Sequence, residues 1–241
     1  MANKWRRYSY TAQKSYFRRV RMILVWVLLF FAAYTLVTSF CFSVRVLENE
    51  TMLPGLVPGD RFIFSSYTIT HLIRDKVIEA PPPFRRGQVV LVDRAARENR
   101  GIIRPLLDRL VRFFTIQQVN LYSREESLFI KRVIALPGDT ISMNNFVLRV
   151  KPAGDSYEYT EFELSDRDYT PHIPQVPVQW DESLPFSGAM DSITLKEDEC
   201  FVLSDDRGNT NDSRTWGPIP ADTVTGRALV RYWPVTRIGV P

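Results

Sequence analysis

The sequence predicts a mainly β domain that carries a smaller inserted β subdomain and follows one transmembrane helix. Three observations predict that fold class. Residues 22–44, MILVWVLLFFAAYTLVTSFCFSV, contain no charged side chain. Beyond them come short runs rich in β-branched and aromatic residues, separated by Gly, Pro and Asp, the punctuation of strands and tight turns. Finally, residues 144–197 are rich in Pro, Tyr and acidic residues and interrupt that order as a separate excursion. The 241 residues have room for one substantial domain and a subdomain, at roughly 150 residues per domain.

The N-terminal elements follow from charge. Lys4, Arg6, Arg7, Lys14, Arg18, Arg19 and Arg21 precede the uncharged run, and the first acid is Glu48. At about 1.5 Å per helical residue the run matches a hydrocarbon core of roughly 30 Å. Its basic flank predicts that residues 1–21 stay in the cytoplasm and residues 45–241 lie on the outer face of the cytoplasmic membrane. A cleaved signal peptide is the alternative, but its apolar core is usually about 7–15 residues. This run is longer and lacks a clear small-x-small exit, so a retained single-pass anchor is expected.

Five stretches read as strands: RFIFSSYTI after residue 60, GQVVLVD behind Arg86, SLFIKRVIAL before Pro137, CFVLS from Cys200, and RALVRYWPV near the end. One segment has a different period. Within residues 101–119, Ile103, Leu106, Leu107, Leu110 and Phe114 recur at helical spacing, opposite Arg104, Asp108 and Arg112. This is either a helix packed on the sheet or a basic amphipathic helix on a membrane surface.

Composition narrows the chemistry. The net charge is only +4, and two cysteines, Cys41 and Cys200, make no disulfide framework. Neither His71 nor His172 has a second metal ligand at useful spacing, so no metal, cofactor or histidine-based triad is expected. No DNA-binding helix pair precedes the uncharged run, and no nucleic-acid partner is expected.

Three stretches could carry chemistry. In FIKRVIALPGD, residues 129–139, strand alternation sets Phe129, Lys131 and Val133 on one face. A lysine on a dry face loses ammonium solvation and becomes a base; alternatively its amine reaches water over an apolar stem. SDDRGNTNDSRTWGPIP, residues 204–220, reads alone as a self-stabilising acid–arginine loop, and its spacing does not match a calcium-binding loop. ENETMLPGLVPGD, residues 48–60, is a stiff turn containing one hydroxyl, that of Thr51.

Taken together, these stretches resemble the boxes of the type I signal peptidase family, membrane-anchored peptidases with a Ser/Lys dyad. The family's P-S-G-S-M-x-P-T-L…G-D segment is similar to ENETMLPGLVPGD, with Met52, Pro54, Leu56, Gly59 and Asp60 in order. Its R-G-D strand resembles Arg86-Gly87-Gln88, and its K-R box resembles FIKRVIALPGD. Its G-D-N-R-x-N-S-x-D-S-R box resembles SDDRGNTNDSR.

The resemblance implies a β catalytic core and roles for named residues. Lys131 falls on the general base and Thr51 on the serine nucleophile. Asn49 takes the place of a serine that helps form the oxyanion hole, and Met52 lies beside it on the substrate side. Thr210 replaces a serine that orients the lysine, Asp212 and Arg214 match a supporting ion pair, and Asp205 matches an acid near the lysine. The implied activity is removal of signal peptides from exported preproteins at the bilayer. A non-catalytic relative that binds signal peptides or assists another peptidase is the alternative, motivated by the Ser-to-Thr change.

Overall fold

The computed structural model describes residues 3–40, 42–67, 82–94, 128–175 and 188–241. They form two compact units, Met1–Ser39 and Phe40–Pro241. The first consists of helix α1, Asn3–Phe40. Among the described residues no helix is long and apolar enough to cross a membrane. The expected uncharged span also divides structurally. Its helix ends at Phe40, and Phe42–Val46 is strand β1. Residues 42–44 are therefore not helical, because their backbone pairs with a neighbouring strand from Phe42↔Ser65 to Val46↔Arg61. The helical pattern within 101–119 lies outside the described residues.

The second unit contains a seven-stranded sheet and a four-stranded sheet. The large sheet takes in β1, β2 (Arg61–Ser66), β3 (Val89–Asp93), β4 (Leu128–Ala135), β9 (Glu199–Leu203), β10 (Ile219–Pro220) and β11 (Val224–Trp233). Their spatial order is β1-β2-β11-β3-β4-β9-β10. Every stretch read as a strand in the sequence contributes one of these. The small sheet is built from β5 (Thr140–Asn144), β6 (Val147–Lys151), β7 (Tyr159–Thr160) and β8 (Met190–Thr194), in the order β7-β6-β5-β8.

Alternation sorts the large sheet's side chains into two cores. Val90 and Val92 join Val133, Val202 and Phe84 in one cluster, with Phe129 packed against it. Val89 and Leu91 point the other way, to Ile130, Phe62, Phe64 and Leu47. At the far end of β4 the β4–β9 register shifts between Val133 and Ala135. Past that irregularity, Ile134 and Ala135 both join a third cluster with Ile141, Leu148 and Phe201. A bulge lets consecutive residues escape strict alternation, and here it sends the end of β4 into a core shared with the small sheet.

Two turns share one construction. Pro58-Gly59-Asp60 and Pro137-Gly138-Asp139 each place a glycine at positive φ, 91° and 81°, a region that other L-residues occupy at a cost. Each aspartate then turns back on its own loop. Asp60 Oδ2 accepts the Val57 N–H at 3.1 Å and Asp139 Oδ2 accepts the Leu136 N–H at 2.8 Å. Both carboxylates are buried and paired with arginine. Arg231 and Arg237 reach Asp60 at 3.1 and 2.7 Å, while Arg86 reaches Asp139 Oδ1 at 2.7 Å.

Gly87, ahead of β3, is constrained twice. Its φ is 81°, and an added Cβ would overlap the Ser165 hydroxyl and lie 3.2 Å from the Asp166 amide. Gly59 is constrained by φ alone, with nothing within 4 Å of an added Cβ. Gly87→Ala is therefore expected to lower unfolding free energy by about 2–3 kcal/mol and Gly59→Ala by about 1 kcal/mol. Urea unfolding of the detergent-solubilised protein checks the order; equal effects would show that the 165–166 contact yields freely.

Candidate functional site

The segment bearing Thr51 is a closed loop. Leu47, just before it, bonds its far end twice, donating to the Asp60 carbonyl at 2.8 Å and accepting the Gly59 N–H at 2.7 Å. Within it Leu53 donates to the Glu50 carbonyl at 3.2 Å and Leu56 to the Met52 carbonyl at 3.0 Å, winding one tight turn. Met52 and Leu56 are buried with Leu47, Phe62 and Phe64, which holds the turn down by hydrophobic contact. Thr51, one residue earlier, is itself buried at 4 % exposure.

The Thr51 hydroxyl donates to Asn49 Oδ1 at 2.7 Å, and the Thr51 N–H points at the same oxygen at 3.4 Å. This is the local side-chain-to-backbone turn that Asn favours. Asn49 was expected as a hydrogen-bond donor to an oxyanion; in the structure its carboxamide oxygen is an acceptor, and it occupies the two Thr51 groups expected to face substrate. Met52 was expected on the substrate side and is fully buried in the core.

Lys131 lies on β4 opposite Val90 of β3. Its side chain has no exposed surface, and its amine donates to Ser204 Oγ at 2.8 Å. The Trp216 ring, which packs on Phe129 at 5.1 Å, has its centroid 5.8 Å from the amine. An ammonium has three donors to satisfy, and here a single hydroxyl and one ring face serve it. Desolvation therefore pulls the Lys131 pKa down to about 8. The Asp212 charge opposes that shift, Arg214 adds to it, and Asp205 opposes it. About a tenth of the amines are neutral at pH 7.

The loop facing Lys131 is held from several sides. Asp212 is buried and caps the short helix α2, Ser213–Trp216, by accepting the Arg214 N–H. It also accepts the Ser204 N–H at 2.9 Å and pairs with the Arg214 guanidinium at 2.8 Å. Burial alone would raise its pKa, but these hydrogen bonds and the Arg214 charge hold it below the usual carboxylate range. Arg214 further donates to the carbonyls of Arg207 at 2.7 Å and Asn209 at 2.5 Å. The expected Asp212–Arg214 pair is thus present and braces the loop.

Asp205 is paired with Arg132 rather than with the lysine, at 2.8 and 2.6 Å. Arg132 also donates to the Gly87 carbonyl and lies 4.1 Å from the Tyr169 ring centroid. Beyond it the buried Arg207 binds Glu161 at 2.6 Å, and Tyr169 donates to the same carboxylate at 2.6 Å. The link to the segment bearing Thr51 is direct: the Asp206 N–H donates to the Thr51 carbonyl at 3.0 Å. Residues 204–206 therefore bond the Lys131 amine at one end and the Thr51 backbone at the other.

Thr210 is placed differently from expectation. Its carbonyl accepts the Asp212 N–H and the Thr215 hydroxyl, and among the described residues the hydroxyl on Lys131 belongs to Ser204. Sequence reasoning missed Ser204, because its place rests on the pairing of two distant strands and not on a local pattern. Val202 pairs with Val133 and Leu203 with Arg132, so the next antiparallel pair sets Ser204 against Lys131 on the same face.

The fold thus holds a buried lysine of lowered pKa, tied through one loop to a segment with a buried hydroxyl, on an antiparallel β core. The chain belongs to the signal peptidase family, peptidase S26, whose family model matches residues 19–233. It is similar to signal peptidase I of Leptolyngbya laminosa, 30 % identical over 84 % of this chain and 74 % of that one. It is also similar to probable signal peptidase I-1 of Synechocystis, 27 % identical over 91 % of this chain and 81 % of the relative. Signal peptidase I P of Bacillus subtilis subsp. natto is 24 % identical over 91 % and 90 % of the two chains.

The lowered Lys131 pKa makes stability depend on pH. The unfolded lysine titrates near 10.5 and the folded one near 8, so the folded state binds fewer protons between those values. Stability contributed by this group therefore rises from pH 8 to 10.5 and is flat below 8. Relative to Lys131→Met, the wild type is expected to gain on the order of 3 kcal/mol across that window. Paired urea titrations from pH 7 to 10.5 measure it, and a constant difference would contradict the burial.

Proposed function

We propose that this chain is an endopeptidase that removes signal peptides from exported preproteins, with Thr51 as nucleophile and Lys131 as general base. The observation that carries the reading is the Lys131 amine, fully buried and hydrogen-bonded to a hydroxyl in a loop that also binds the Thr51 backbone. Names of relatives agree with it: signal peptidases I from two cyanobacteria and a bacillus.

In this mechanism neutral Lys131 takes the Thr51 proton as the hydroxyl oxygen attacks the scissile carbonyl. The carbonyl carbon–nitrogen bond then breaks, and Lys131 returns the proton to the leaving amine. Water hydrolyses the resulting ester: Lys131 accepts a proton from the attacking water and returns it to the Thr51 oxygen as the ester bond breaks. For attack, the Thr51 hydroxyl turns away from Asn49, and the Asn49 oxygen leaves the Thr51 N–H. That N–H is then free to donate to the oxyanion, and a rotated Asn49 carboxamide offers its NH2 as a second donor. The methyl of Thr51 restricts χ1, so the rotation is the step at which threonine and serine differ.

The charge-free run at 22–44, behind seven basic residues and no acid, supports a single-pass anchor with its N-terminus in the cytoplasm. Residues 45–241 then meet the substrate on the outer face, with 144–197 as an inserted subdomain. The helix ends at Phe40, and ten residues, 41–50, separate it from Thr51, a short tether for a nucleophile that meets signal peptides at a membrane. Protease added to intact spheroplasts is expected to digest the catalytic unit and spare an N-terminal tag.

Preprotein cleavage in membranes tests the chemistry. Thr51→Ala and Lys131→Ala are each expected to lose at least about a hundredfold in kcat/KM, while Thr51→Ser retains activity. Equal cleavage by wild type and Thr51→Ala would overturn the reading. The wild-type kcat/KM is expected to climb with pH through about 8 and level off above it.

A further inference from the structure

We propose that Ser204 is the positioning residue that aims the Lys131 amine, a role the sequence pattern gives to Thr210. The inference rests on the catalytic reading above and concerns how its base is held.

Lys131 has four rotatable side-chain bonds, and a base must present its lone pair in one direction. Apolar contacts along the stem fix depth but not the orientation of the amine. Ser204 supplies the orientation: its Oγ accepts from Nζ at 2.8 Å, and both side chains are fully buried. One N–H is thereby directed at Ser204, which leaves the lone pair pointing elsewhere. Ser204 is itself immobilised. Its N–H is held by Asp212 at 2.9 Å, and its neighbour Leu203 is in β-register with Arg132. Two residues on, Asp206 bonds the Thr51 carbonyl, so the piece of backbone that aims the base also locates the nucleophile.

Thr210 is set apart from this geometry. Its carbonyl serves the α2 cap, and its hydroxyl makes no hydrogen bond to Lys131 in the structure. In the family pattern a glycine stands where Ser204 is and a serine where Thr210 is. The structure therefore assigns the lysine-orienting hydroxyl to a position six residues earlier in the loop, reached from the strand end instead of from the loop's crown.

The experiment compares Ser204→Ala, Ser204→Thr and Thr210→Val in the full-length protein in detergent, with a peptide substrate. Ser204→Ala is expected to lower kcat ten- to a hundredfold with KM within twofold, Ser204→Thr to recover most of the loss, and Thr210→Val to lose less than Ser204→Ala. In parallel, the 13Cε resonance of Lys131, assigned through Lys131→Met, is titrated. Loss of an acceptor that favours the ammonium form is expected to move its midpoint lower in Ser204→Ala. A Ser204→Ala protein with wild-type kcat and an unmoved or raised midpoint overturns the proposal, as does a loss that Ser204→Thr fails to recover. Wild type that cleaves no better than Thr51→Ala defeats the catalytic reading instead, and the NMR midpoint then decides the Ser204 contact by itself.

Discussion

The site depends on keeping one amine dry. Lys131 sits on a strand that is buried on both faces, between Phe129 and Val133, and with no exposed surface. Charged lysines are rarely placed there, because desolvation costs several kcal/mol unless a full set of partners compensates. Here compensation is partial: one hydroxyl, one aromatic face and a carboxylate, Asp212, that Arg214 already neutralises. Full compensation would stabilise the ammonium and restore an ordinary lysine pKa. The loop 204–214 is built to stop short of it, spending its carboxylates on Arg132 and Arg214 instead of on the lysine.

That requirement explains why so many arginine–carboxylate pairs surround the site. Arg132–Asp205, Arg207–Glu161, Arg214–Asp212 and Arg86–Asp139 are all largely buried. A single buried pair gives little net stability, but bidentate geometry, which all but Arg207–Glu161 have, fixes position well. Arg207 and Glu161 tie the loop to the neighbourhood of the small sheet, and Arg86 and Asp139 tie the strand carrying Lys131 to the turn before β3. Position is what these pairs supply: the loop can hold Ser204 and Asp206 in fixed places without presenting a free acid to Lys131.

Strands and the face of Lys131 were legible because period-two alternation is local. Phe129 and Val133 do pack in one cluster, and Trp216 closes over the lysine from it. Family resemblance carried the ion pair Asp212–Arg214 and the grouping of three separate stretches. The orienting hydroxyl was not legible in this way. It is decided by the register of β4 against β9, a long-range fact that no local pattern encodes, and by a loop that could have offered Thr210, six residues later, instead. Asn49 was read for its donor and found using its acceptor, since one side chain carries both and only the local turn selects between them. The end of α1 was misjudged because hydropathy does not register that residues 42–46 have a strand to pair with.

Asp60 adds an ordering to the making of the molecule. The loop that carries Thr51 closes on Leu47 through short-range bonds, but its buried carboxylate is neutralised by Arg231 and Arg237. Those partners are nearly 180 residues away in sequence, and a chain emerges from the ribosome at about 5–20 residues per second. For the many seconds between, the segment bearing Thr51 exists with an uncompensated aspartate that favours water over the core. The Thr51 hydroxyl is thus among the first parts of the second unit to be synthesised, and its seat is among the last to be finished.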